Sequence, residues 1–143
     1  MKREEKQTMA WNDLDIEEQW EHFLNFLKSE DYTFELIKDA DFIDEDDEIS
    51  IEYNGRKYSL YFVSPDFALV YKFKPAVDKD RLKRTAKGNN SKNYNISFLE
   101  TQDKEMNIYI DLLFTKPDDI KEHFLNHLNV LHSIVEGVSN GNN

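Results

Sequence analysis

Two hydrophobic rhythms alternate along the chain, and each change of rhythm marks a new element. From Ile16 onward, Ile16, Trp20, Phe23, Leu24 and Leu27 recur at i, i+4, i+7, i+8 and i+11, one stripe of an α-helix. Asp15 and Glu18 have the spacing of a capping box, so the predicted helix begins there and ends near Ser29 or Glu30. Tyr32-Thr33-Phe34 then restores β preference, and Thr33 to Ile37 reads as an additional edge strand.

Period-two alternation takes over at Ile49. Ile49 to Tyr53 alternates, Asn54-Gly55 supplies the two positive-φ residues of a type I′ turn, and Arg56 to Val63 alternates again. A two-residue turn pairs Tyr53 with Arg56, Glu52 with Lys57, Ile51 with Tyr58 and Ile49 with Leu60. The apolar partners then share one face, and Glu52 and Lys57 form an opposite-charge pair on the other. Ser64-Pro65-Asp66 is turn chemistry, Phe67 to Lys74 is a further strand, and Pro75 stops it.

Asp78 can cap a short helix from Lys79 to about Lys87, closed by Gly88-Asn89-Asn90. A second hairpin follows, Asn95 to Glu100 and Met106 to Phe114, around Gln102-Asp103-Lys104. Thr115-Lys116-Pro117-Asp118 opens the last helix, whose buried stripe is Ile120, Phe124, Leu128, Leu131 and Val135, with Gly137 closing it. The order is α-β-β-β-α-β-β-α, an α+β fold with an antiparallel sheet and two long helices packed on one face. Residues 1–10 are expected to form a flexible leader, 11–138 a single α+β domain and 139–143 a flexible tail.

Composition narrows the class. A chain of 143 residues is long enough to bury a full core, and 39% hydrophobic with 33% charged residues suits a globular domain. No apolar run approaches the roughly 18 residues of a membrane span, and MKREEKQTMA lacks the hydrophobic segment of a secretory signal. There is no cysteine, hence no disulfide, thiolate metal site or cysteine nucleophile. A cytoplasmic location without membrane attachment is the expectation, so the N-x-S sequences at Asn89 and Asn95 carry no glycosylation meaning. The net charge of -11 is uneven: Asp39 to Glu48 holds seven acids, whereas Lys79 to Lys92 holds six bases against Asp80.

The stretch from Ile49 to Val135 resembles the YbjN-like proteins, a bacterial group with the type III secretion chaperone-like fold. The features that carry the resemblance are I-S-I-E-Y-N-G-R-K-Y-S-L, P-D-F-A-L-V-Y, the Asn-rich turn before N-Y-N-I-S-F-L, and M-N-I-Y-I-D-L-L-F feeding into P-D-D-I-K-E-H-F. It covers about three-fifths of the chain plus the first helix, and the acidic insert from Asp39 to Glu48 is longer than the usual connection. The resemblance implies the architecture and a dimeric, partner-binding habit, and it brings no catalytic residues.

Candidate chemistry is sparse. His123 and His127 sit at i and i+4, a spacing that can bind a metal from a helix face, but Phe124 stands where the zincin motif has its Glu. His132 lies farther round the helix, and the sequence indicates no third ligand, so the histidines read as polar flanks of a buried stripe. An EF-hand frame from Asp44 places Ile49 where the turn needs Gly and Gly55 where the bidentate Glu belongs, which rejects it. No G-x-S-x-G or phosphate-cradling glycine loop occurs, so no catalytic residue, metal or cofactor is expected.

The basic segment containing Arg81 and Arg84 has only Tyr94 as a nearby aromatic, and the overall acidity opposes nucleic acid. It suits an acidic protein partner or the acidic loop of a second subunit. Strand parity sends Tyr61, Val63, Val70, Tyr109 and Leu113, with Leu99, to the sheet face away from the helices. So many apolar residues on one face mark an interaction surface. The expectation is a non-catalytic protein-binding module, chaperone-like or regulatory, that forms a homodimer and binds a protein partner. The alternative is a small acidic inhibitor or immunity-type protein that masks a basic partner surface.

Overall fold

The structure, a computed structural model, describes residues 10–37, 48–63, 66–73, 78–88, 94–100, 105–113 and 116–140. After a 3-10 turn at Trp11–Asp13 come helix α1 (Ile16–Ser29) and strands β1 (Thr33–Ile37), β2 (Glu48–Tyr53), β3 (Arg56–Val63) and β4 (Asp66–Phe73). Helix α2 (Lys79–Gly88), strands β5 (Ile96–Glu100) and β6 (Met106–Leu112), and helix α3 (Ile120–Asn140) complete the chain. All strand pairs are antiparallel in the order β1-β2-β3-β4-β6-β5. The α+β class is as predicted, with β1 added to the α-β-β-β-α-β-β-α order.

Local chemistry sets the boundaries. Asp15 accepts from the Glu18 backbone N–H at 2.9 Å while Glu18 accepts from the Asp15 N–H at 3.0 Å, closing both halves of the capping box. At the other end Asp31 takes φ 60, Tyr32 N–H reaches Leu27 O at 3.0 Å and Asp31 N–H reaches Lys28 O at 3.2 Å. This is a Schellman stop with Asp in the place of Gly, and the Tyr32 ring lies 5.8 Å from Phe26. Asn54 (φ 49) and Gly55 (φ 84) make the hairpin turn, with Tyr53↔Arg56, Ile51↔Tyr58 and Ile49↔Leu60 as predicted. Asp78 caps α2 by accepting from Arg81 N–H at 3.2 Å.

The core lies between one sheet face and the helices. Ile49, Ile51, Tyr58, Leu60, Phe67, Leu69, Ile108, Ile110 and Leu112 meet Phe23, Leu27, Phe124, Leu128, Leu131 and Val135, all buried. The predicted stripe of the last helix is therefore correct. The stripe of the first helix is rotated: Gln19, Phe23, Phe26 and Leu27 are buried, Trp20 and Leu24 are half-buried, and Ile16 is 44% exposed. Trp11 covers the Gln19 and Phe23 part of the rotated stripe. It packs at 5.5 Å on Phe23 and 6.3 Å on Phe67, and its carbonyl accepts from buried Gln19 Nε2 at 2.9 Å.

Gly137 does not close the last helix, which continues to Asn140. A Cβ at Gly137 would lie 2.9 Å from Thr85 Cγ2, so this glycine permits α2 and α3 to approach closely. The first nine residues, the acidic run through Asp47, residues 101–104 where a turn is expected, Thr115 and residues 141–143 lie outside the described residues.

Candidate interaction surface

Strand register builds the face away from the helices row by row. One row runs Ser50, Ser59, Val70, Tyr109, Ser97; the next runs Glu48, Tyr61, Ala68, Asp111; a third joins Lys72, Asn107 and Leu99. Ala68 and Val70 are each only 1% exposed although neither belongs to the helix-side core cluster. They form a small-residue floor between Tyr61 and Tyr109, both half-buried. Leu99 and Leu113 stand out at 54% and 43% exposure.

The face divides by polarity. Towards β2 and β3, Glu48 accepts from Ser59 Oγ at 2.6 Å and from Tyr61 Oη at 3.1 Å, and Lys72 Nζ donates to Tyr61 Oη at 3.4 Å. Lys72 Nζ also lies 5.8 Å from the Tyr61 ring centroid. Burial and then the Glu48 charge push the Tyr61 phenol far above its ordinary pKa, so it remains a donor. Towards β6 and β5 the face is Val70, Tyr109 and Leu99. Between Lys72 and Leu99, Asn107 is 7% exposed and its Oδ1 is buried with no hydrogen-bond partner among the described residues.

The structure thus brings Tyr61, Val70 and Tyr109 together, with one correction. Val70 lies beneath the surface as support, because its neighbours on β3 and β6 cover a short side chain. Arg81 and Arg84 belong to a different surface, since their helix packs on α3 through Leu82 and Ala86. Arg81 donates to Val138 O, a structural contact at the end of α3, while Arg84 is exposed. Val63 ends β3 with its backbone opposite Asp66.

Leu113 also borders a pocket of about 260 Å³ shared with Tyr94, Asn95, Asp111, His123 and His127. His123 Nδ1 donates to Asp119 O at 3.1 Å and His127 Nδ1 to His123 O at 2.5 Å, because a carbonyl can only accept. In a neutral ring, an Nδ1–H donor of this kind leaves Nε2 as the acceptor. Burial holds the His127 imidazole below its ordinary pKa, and the edge of its ring meets Tyr94 at 4.8 Å. Burial, then Asp66, pushes the Asp111 carboxyl up. No group of three or more His, Cys, Asp or Glu able to hold a metal exists among the described residues.

Sequence reasoning passed over a second constellation. Tyr58 Oη and His132 Nδ1 pair at 2.6 Å, Arg56 Nε meets Glu136 Oε2 at 2.6 Å, and Arg56 Nη1 donates to Tyr71 Oη at 2.9 Å. Tyr53 Oη donates to Asn129 Oδ1. These bonds clamp the β2–β3 hairpin to α3. Burial raises the Tyr58 phenol far above its usual pKa, which suits a structural hydrogen bond. The available signal was polar residues at inward strand positions, Arg56 and Tyr58, which need partners on the covering helix.

No helix is long and apolar enough to cross a membrane among the described residues. No protein-family model, curated protein or solved structure matches the chain.

Proposed function

We propose that this protein is a non-catalytic protein-binding module, chaperone-like or regulatory, which self-associates through the β4–β6–β5 half of its outer sheet face. The YbjN-like resemblance points to the same class, and a cytoplasmic setting fits the cysteine-free chain. One observation carries the reading: Leu99 and Leu113, at 54% and 43% exposure, border a strip of Tyr109, Val70 and Ala68 on the face away from the helices. Single exposed leucines are ordinary, but two on one face, flanking a strip of small and aromatic residues beside Asp111, mark a surface. A second copy fits because Val70, Tyr109 and Leu99 can meet their own equivalents about a twofold axis, apolar against apolar, while charged Glu48, Lys72 and Asp111 flank them.

Leu99→Lys with Leu113→Lys tests this, since both positions are exposed and Lys there costs little in the monomer. Light scattering should give a dimer for the wild type and a monomer for the double variant, with unchanged circular dichroism. A monomeric wild type at all concentrations, or a variant that remains dimeric, contradicts the reading. An acidic inhibitor is the second reading, favoured by the net charge of -11. It requires partner capture that weakens steeply with salt.

A further inference from the structure

Among the described residues the four exposed large hydrophobic ones divide into two pairs, and Ile16 and Leu36 lie elsewhere from Leu99 and Leu113. Leu36 projects from β1 towards the helix side, its register partner being buried Ile49. With Trp20 and Leu24 of α1 it floors a cleft of about 420 Å³. Asp15, Glu17, Glu18 and Glu21 form the rim, so among the described residues every charged one lining the cleft is an acid. Trp20 and Leu24 are half-buried and Leu36 is 37% exposed, which leaves the floor open from above.

The cleft opens beside β1, the edge strand of the described sheet. β1 pairs with β2 alone among the described strands, and an edge strand presents alternate unpaired N–H and C=O groups outward. On the opposite face β1 carries exposed Glu35. A chain that added to this edge would send alternate side chains to the two faces. One set would cover Trp20, Leu24 and Leu36; the other would lie near Glu35.

From this geometry we infer that the α1–β1 cleft binds an extended, cationic segment of a partner protein by strand addition. Aliphatic residues of that segment fill the cleft, the Lys or Arg residues between them meet Glu35, and the positive charge of the segment as a whole is drawn by the acidic rim that includes Glu17 and Glu21. Charge complementarity selects this occupant, because an anionic segment would face four like charges at the rim. The inference needs nothing from the outer face, so either can fail without the other.

The test titrates the full chain with two synthetic peptides of equal length, one alternating Lys and Leu, the other Glu and Leu. The Lys-Leu peptide should bind with affinity that falls as salt rises, and should slow amide exchange within Thr33–Ile37. Glu17→Lys with Glu21→Lys, which leaves the Asp15–Glu18 capping box intact, should weaken binding at least about tenfold, as should Leu36→Gln. Circular dichroism confirms that each variant folds. Equal binding of both peptides, binding unchanged in both variants, or exchange protection confined to other strands overturns the inference. So does a fall in solution mass caused by Leu36→Gln, which would assign the cleft to a second copy.

Discussion

Phe124 and Trp20 show what burial adds to a hydrophobic pattern. Phe124 is fully buried and its ring lies 5.1 Å from Phe26 and 5.8 Å from Tyr32, so Phe124→Ala opens a cavity and should cost about 3–5 kcal/mol. Trp20 packs at 5.0 Å on Phe67 but keeps one side open to the cleft. Its removal should therefore cost less, about 1–2 kcal/mol by area lost from water. Urea unfolding of the two variants checks the order; equal losses would place Trp20 in the core.

His127 supplies a residue-scale pH effect. Its folded pKa lies below the ordinary value because burial disfavours the imidazolium, which outweighs the hydrogen bond to the His123 carbonyl. The unfolded chain therefore binds the proton more readily. The stabilising contribution is complete above the unfolded pKa of about 6.5 and is lost as pH falls below it. His127→Gln should flatten the dependence of unfolding free energy on pH between about 7.5 and 5.5, as measured by urea titration at both ends. An unchanged slope would show that the ring is protonated within the fold.

At the scale of elements, close approach of α2 and α3 depends on Gly137. Gly to Ala inside a helix ordinarily stabilises by about 0.5–1 kcal/mol. Here the new methyl would meet Thr85 Cγ2 at 2.9 Å, and Thr85 Oγ1 is bonded to Arg81 O at 2.9 Å, which pins the β-branched side chain. Gly137→Ala should therefore destabilise, by about 1 kcal/mol as for overpacking, whereas adding Thr85→Ser removes the obstructing methyl and should restore stability. Thermal unfolding of the single and double variants reads the coupling. Simple additivity would mean the helices shift at no cost.

The same scale shows how much of the fold the sequence declares. The hairpin register was legible because Asn54-Gly55 fixes the turn and every apolar partner then shares a face. The capping box and the α3 stripe were legible because their signals lie within a few turns of one helix. Trp11 was not legible, since one residue in a 3-10 turn has no period, and the α1 stripe that it partly covers is drawn from the sequence a fraction of a turn away. Gly137 read as a stop because only a neighbouring helix reveals the need for a missing Cβ. Placement of β6 between β4 and β5 depends on long-range pairing, to which no local pattern speaks.

For the whole molecule, strand parity put Tyr61, Val70 and Tyr109 on one face but could not reveal depth. Val70 is buried because its row sets it between Ser59 and Tyr109, and Tyr61 is tied to Glu48 and Lys72. The arginines of α2 lie apart because helix packing, absent from one-dimensional patterns, fixes their side of the sheet. These depths move the centre of the proposed interface from Tyr61 towards Tyr109, Leu99 and Leu113. Amide hydrogen exchange at low and high protein concentration tests that location most directly. Association should slow exchange in Ile96–Glu100 and Met106–Leu112 while α2 remains unchanged. Protection confined to α2 or α3, or no dependence on concentration, would contradict it.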